Sequence, residues 1–252
     1  MNRQHQQGLS MVELLVALAI SSFLILGITQ VYIDNKRSYF FQQGQMETNE
    51  SLRFLTYILD NEFHKIGYRR EPYLSYESIF KVDDVFLRAG QTIKFISLNE
   101  VRFRYQPNSS KDYGCDGVSE EGSYIDNIYF DDKEKPIVRV VTIFFDKNNS
   151  VVRCNGEEIV TGVADFRIMY AVPVNINNEN QGVKYVSQVS ESDKVKGIRY
   201  EVLAGSTMRN LSDSSNSSAV DAFYEKNEDK PDDKAVYQFV SKTVMFRNLM
   251  VW

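Results

Sequence analysis

The stretch QQGLSMVELLVALAISSFLILGITQVYI, residues 6–33, decides how the chain is built. From Leu9 to Ile33 the only formally charged side chain is Glu13. As a helix this run of about 25 residues spans roughly 37 Å, enough to cross a bilayer. A secretory signal peptide is one explanation, with Ala17-Leu18-Ala19 resembling an A-x-A cleavage site. It fits poorly, because apolar text continues beyond that site as Phe23-Leu24-Ile25-Leu26 and Glu13 interrupts it before. A plain membrane anchor explains the length but not the acid, since an ionisable group inside a span costs about 2.5–3.5 kcal/mol unless it finds a partner. Flanking charge does not set the orientation: Arg3 lies on one side, and Lys36 and Arg37, offset by Asp34, lie on the other. Gly27 and Gly44 are the expected weak points of a long helix, each about 1 kcal/mol less favourable than alanine.

After the span the text turns polar and keeps a helical period. Leu52, Leu55, Leu59, Phe63 and Ile66 recur at steps of three and four, predicting an amphipathic half-helix laid on a globular body. Gly67 is a plausible stop, and Pro72 prevents easy continuation. From Thr92 onward TIKFISL, EVRFRYQ, SYIDNIYF, IVRVVTIFFD, ADFRIMYAV, GIRYEVLA and AVYQFVSKTVMF read as strands, rich in β-branched and aromatic residues. Val101, Phe103 and Tyr105 alternate with polar neighbours, as do Phe166, Ile168 and Tyr170, the pattern of half-buried antiparallel strands. DKNNSVVRC reads as a hairpin turning at Asn148-Asn149. Asn175 to Gly182 and Ser212 to Asp233 lack an apolar stripe and read as solvated surface insertions; neither has the spacing of an EF-hand.

The 252 residues carry a net charge of -5 and no Lys/Arg block, so nucleic acid is not an expected partner. No G-x-S-x-G, HExxH or glycine-rich phosphate loop occurs, and the acid pairs Asp83-Asp84 and Asp131-Asp132 are adjacent, which in a strand sends them to opposite faces. His64, among Glu62 and Lys65 near the helix end, reads as a boundary residue rather than a base. These features argue against an enzyme and against any cofactor or metal. Cys115 and Cys154 fit neither a CxxC nor a zinc-finger spacing. Two alternatives stay open for them: one disulfide, if the body is exported, or two unrelated buried thiols.

Gly8 followed by Leu9, Ser10 and an acid at the fifth position from Leu9, leading into a long apolar helix, resembles the type IV prepilins. The resemblance implies a membrane peptidase that cuts after Gly8 and methylates Leu9, with Glu13 pairing to the new amine of a neighbouring subunit. Two features depart from the commoner pattern: Leu9 stands where phenylalanine or methionine is usual, and the span lacks the proline of many major pilins. The order of later parts, from RFLTYILDNEFHKIGY to the closing KTVMFRNLM with Arg247-Asn248, resembles the PilW-type minor pilins and, more distantly, the J-type pseudopilins of type II secretion.

The implied fold class is α+β and pilin-like, with a long N-terminal helix, half transmembrane and half amphipathic, packed on an antiparallel β-sheet body with extra strands. The implied parts are a leader (residues 1–8), a transmembrane and assembly half (9–33), an amphipathic half (34–67) and an extracytoplasmic body (68–252). The implied role is a minor pilin that primes pilus assembly and sits at or near the tip, or alternatively a subunit at the tip of a secretion pseudopilus. Its implied partners are the prepilin peptidase, other minor pilins, the major pilin and a tip adhesin. The implied location is the inner membrane, with a periplasmic body, and then the filament. An exported body favours the Cys115–Cys154 disulfide.

Overall fold

A computed structural model describes residues 10–83, 85–86, 88–109, 111–119, 137–176, 179–190, 193–212, 217–224 and 230–249. The chain divides into two compact units, Met1–Gln43 and Gly44–Trp252. Helix α1, Met11–Lys65, contributes to both. In the second unit it buries Gly44, Thr48, Leu52, Leu55, Leu59, Glu62 and Phe63, one stripe at the helical period. Full burial of side chains such as Leu55, Leu59 and Phe63 contributes about 2 kcal/mol each. Gly44 is less a weak point than a fitted one. A Cβ there would lie 3.1 Å from Ser206 Cβ and 3.2 Å from Leu211 Cδ1, so the helix touches the body at a place only glycine fills without displacement.

The end of α1 is closed from two sides. Gly67 adopts φ +67° and donates its N–H to Arg104 O at 3.1 Å. The orphan carbonyls of the last turn accept from Asn248, whose Nδ2 lies 2.9 Å from His64 O and 3.0 Å from Ile66 O. Asn248 is held in a 3₁₀ turn, Arg247–Leu249, and its own carbonyl accepts from the Tyr76 hydroxyl. Tyr76 opens the short helix α2, Tyr76–Ile79, capped by Ser75.

The body contains two antiparallel sheets where the alternation alone suggested one. β1 (Ile93–Ser97), β2 (Glu100–Tyr105), β3 (Arg139–Asp146), β4 (Val151–Cys154) and β5 (Glu157–Thr161) form a five-stranded meander in chain order. β6 (Val163–Ile176), β7 (Glu179–Val186), β8 (Gly197–Gly205) and β9 (Tyr237–Met245) form a four-stranded sheet in the order β7-β6-β8-β9. The expected hairpin at Asn148-Asn149 joins β3 to β4, with Asp146 Oδ1 accepting from the N–H groups of both asparagines. Alternate residues of both sheets meet α1 in one core. Phe63 packs against Phe103 at 5.8 Å and Tyr200 at 5.7 Å, and Phe145 meets Phe166 at 6.2 Å.

Three readings of the sequence change. The polar string at 175–182 is not a loop: β6 runs to Ile176 and β7 starts at Glu179, because a two-stranded ribbon satisfies its backbone by pairing rather than by burial. The segment 212–233 contains helix α3, Ser218–Phe223, capped by Ser217 and burying Val220 and Phe223 in a second cluster with Leu203, Ala235 and Tyr237. The third is Arg104, expected on the polar face of β2 but only 1% exposed. Its guanidinium donates to Gln91 O and Lys81 O at 2.6 Å, Phe80 O at 3.1 Å, Arg88 O at 3.3 Å and Asp83 Oδ2 at 3.2 Å. Its carbon Cζ stands 4.3 Å from the Phe86 ring centroid. The expected strand SYIDNIYF and the pair Asp131-Asp132 lie outside the described residues, as does Asp84.

Arg104 thus replaces water for four backbone carbonyls that the 80–91 loop turns inward. Arg104→Met keeps the bulk and removes every donor, and is expected to lower stability by about 3 kcal/mol or more in a urea titration. A loss below about 0.5 kcal/mol, the range of an ordinary surface change, would contradict this role.

Candidate functional site

Gly8 and Leu9 lie outside the described residues. Helix α1 begins directly after them, with Leu14 N–H donating to Ser10 O at 3.1 Å. Glu13 therefore sits in the first turn, where the partial positive charge of the unpaired N–H groups favours a carboxylate. It is exposed and has no hydrogen-bond or ion-pair partner among the described residues.

Every side of this half of α1 is apolar. Met11 is 81% exposed and Phe23 77%, and Leu14, Leu18, Ile25 and Ile28 are also exposed. A helix hydrophobic all round belongs in lipid or in a protein bundle, and α1 is long and apolar enough to cross a membrane. Its few hydroxyls fit that setting. Ser22 Oγ donates to Leu18 O and Thr29 Oγ1 to Ile25 O, both at 2.7 Å, so neither needs water. Gln30 Nε2 donates to Asp34 Oδ1 at 3.1 Å, where the polar text resumes. Glu13, the one charged group between Leu9 and Ile33, has no such internal partner among the described residues.

The second predicted pair comes together in the body. Cys115 and Cys154 form a disulfide with Cα atoms 6.0 Å apart, tying the 111–119 loop to the end of β4. A cross-link over this sequence separation of 39 stabilises by about 4 kcal/mol in the chain-entropy account. Arg139, buried at the start of β3, donates to Val118 O at 2.7 Å and to Asp116. Asn155 Nδ2 donates to Asp116 Oδ2 at 2.6 Å. Burial alone would raise the Asp116 carboxyl, but the bonds from Asn155 and the Val118 N–H, with the Arg139 charge, outweigh it and hold the group below its usual range. Gly114 belongs to the same fit, since a Cβ there would run into the Arg139 guanidinium. Pattern reading misses Arg139, because a cation inside IVRVVTIFFD counts as an outward residue.

Beneath this loop Glu62 is 3% exposed, with Lys65 Nζ 2.9 Å from its Oε1. Lys65 also reaches Asp112 at 3.6 Å and lies 5.3 Å from the centroid of the Tyr105 ring. Burial pushes the Glu62 carboxyl above its ordinary value, and the bond and charge of Lys65 offset this only in part. His64 is exposed, with Nδ1 2.6 Å from Asp60 O, a local helix contact rather than a catalytic relay. Asp60 accepts from Tyr200 Oη at 2.8 Å and from Lys242. Among the described residues no group of three His, Cys, Asp or Glu side chains could hold a metal ion.

An acid whose folded pKa is raised binds its proton more tightly folded than unfolded. Ionised Glu62 therefore costs stability, and the cost grows as pH rises from near 4.5 through the raised folded value. Glu62→Gln removes that cost. Its urea midpoint is expected at or above that of the parent at pH 7, with the advantage shrinking at pH 4; a variant less stable at pH 7 than at pH 4, relative to the parent, would contradict the assignment.

Residues 3–29 match the family described as "Prokaryotic N-terminal methylation motif". The matched stretch contains Gly8, Leu9 and Glu13. No curated protein matches the chain. Among solved structures, a type IV-like pilin from Thermus thermophilus is similar at 15% identity and a TM-score of 0.42, over 80% of this chain and 97% of that one. The chain carries a prepilin N-terminal methylation motif at the head of a membrane-length apolar helix, joined to a body of two antiparallel sheets.

Proposed function

We propose that the chain is a type IV minor pilin, made as an inner-membrane precursor and cut between Gly8 and Leu9. Leu9 is then N-methylated, and the subunit enters a filament through α1. The observation that carries this reading is the methylation motif over residues 3–29 at the head of a helix whose first half, to Ile33, is apolar on every side and bears one charge, Glu13 in the first turn.

The cut supplies what Glu13 lacks. Hydrolysis of the Gly8–Leu9 bond creates an ammonium at Leu9, and when helices pack side by side the Glu13 carboxylate of one subunit can meet the amine of the next. In a low-dielectric bundle an opposite charge at contact distance offsets the desolvation of both groups, whereas either left alone remains costly. Apolar packing supplies the affinity, and the ion pair selects the axial register. The apolar first half of α1 slides with little preference, but one buried pair per subunit penalises every wrong offset.

A priming role at or near the tip, in company with other minor pilins, fits a body this large. Among the described residues, the 44–252 unit carries nine strands, two of which, β6 and β7, form a ribbon, a bulk suited to a position with few lateral neighbours. The function is assembly and not turnover.

Processing tests the reading. Co-expressed with a prepilin peptidase, the chain is expected to yield a mature form beginning at N-methylated Leu9 by mass spectrometry. An intact Met1, or a cut after Ala19, would refute it. Glu13→Ala is expected to be cleaved normally and to enter filaments about tenfold or more less efficiently, as loss of a buried pair implies. Normal incorporation would remove the pairing role while leaving processing intact.

A further inference from the structure

We propose that the free edge of β1 is a docking site for an extended acidic peptide segment of a partner protein, added as a further strand to the five-stranded sheet. Among the described residues β1 is an outer strand, paired with β2 alone. The bond from Arg104 N–H to Thr92 O, 2.8 Å, sets the phase of this ladder. In an antiparallel pair the N–H and C=O of one residue point to the same side and alternate along the strand. Thr92 and Lys94 therefore face β2, opposite Arg104 and Arg102, while Ile93 and Phe95 turn their backbone groups outward. These groups open on a cavity of about 600 Å³, walled by the 88–92 loop and by the 193–196 segment leading into β8.

The chemistry of the cavity specifies its occupant. Gln91 reaches along the edge and donates Nε2 to Ile93 O at 3.2 Å, while its Oε1 is buried without a partner among the described residues. The edge is stiff, since Phe95 and Ile93 pack inward on the core and Phe95 meets the Tyr170 ring edge-on at 5.8 Å. A rigid open ladder costs little ordering on the receiving side when a strand is added.

Charge selects the sequence of that strand. Among the described residues, Lys94, Lys194 and Lys196, with Arg88 beside them, line the cavity against Glu77 and Asp193, a local excess of cations in a chain whose net charge is -5. Asp193 is already engaged, accepting from Ser190 N–H at 2.8 Å. Lys94 is anchored at the rim by its bond to Val85 O, 2.6 Å, and Lys196 lies 3.5 Å from Leu249 O. A segment alternating acidic and small apolar residues would place its carboxylates among these cations and its backbone on the ladder. A free anion or an acidic glycan would meet the same cations but leave the Ile93 and Phe95 amides untouched.

This inference is independent of the processing of the N-terminus, so it can fail while the minor-pilin reading stands, and the reverse. The test uses the full chain in detergent micelles, titrated with a blocked heptapeptide alternating glutamate and valine and with its lysine–valine counterpart. The acidic peptide is expected to bind, to slow amide hydrogen exchange at Ile93 and Phe95 by about tenfold or more, and to outbind the lysine peptide by about tenfold. Lys94→Glu with Lys194→Glu is expected to weaken binding by about tenfold, and Lys194→Glu alone, at an exposed position, by a smaller factor with unchanged circular dichroism. No binding at millimolar peptide, equal binding of the two peptides, or binding without protection of the two edge amides would each overturn the proposal.

Discussion

The body depends on the contact of one side chain with two sheets. Phe63 touches Phe103 of β2 and Tyr200 of β8, so the stripe of α1 is the seam on which the five-stranded and four-stranded sheets close. Each sheet has an apolar face to cover, and neither is covered by the other alone. With Leu55, Leu59 and Ile66 fully buried along the same stripe, removing the helix would leave both faces open to water. One continuous helix thus carries two surfaces: its first half is apolar on all sides, and its second buries one stripe against the sheets.

Polar groups inside the body follow a common rule. Arg104 and Arg139 are buried, and each closes a loop by donating to backbone carbonyls and a carboxylate that the loop turns inward. Burial also pushes the phenols of Tyr200 and Tyr105 up, so both remain protonated and Tyr200 serves as a donor to Asp60. The disulfide acts on the same loop as Arg139, a covalent tie and an ionic one on neighbouring residues.

How far the sequence could be read follows from which physics leaves a periodic trace. The α1 stripe was legible because burial at steps of three and four writes itself into Leu52, Leu55, Leu59 and Phe63. The strands β2, β3, β6, β8 and β9 were legible from β-branched and aromatic alternation. β7 and α3 were not, because a ribbon and a short six-residue helix are satisfied by backbone pairing and capping, which polar residues allow. Nor was the division into two sheets, since alternation says which face a strand buries and not which strand lies beside it. Buried arginines were illegible for a related reason: Arg104 looks like every other polar residue in EVRFRYQ until the carbonyls it serves are seen. Of the site, Glu13 stood out as a lone charge in an apolar run, whereas the open edge of β1 depends on a partner strand that no local pattern reveals.

The cap that Asn248 places on the end of α1 bears on the order in which the protein matures. The carbonyls it closes belong to residues 64 and 66, more than 180 positions earlier. A helix terminus completed by so distant a residue cannot be finished while the chain is still emerging, and contacts of such separation slow folding because a long loop must close before they form. The apolar half of α1, long enough to cross a membrane, has no such requirement. In the proposed precursor, therefore, the anchor is inserted first and the body reaches its final state only after the last strand and its 3₁₀ turn have crossed, which would make translocation rather than synthesis the clock for folding.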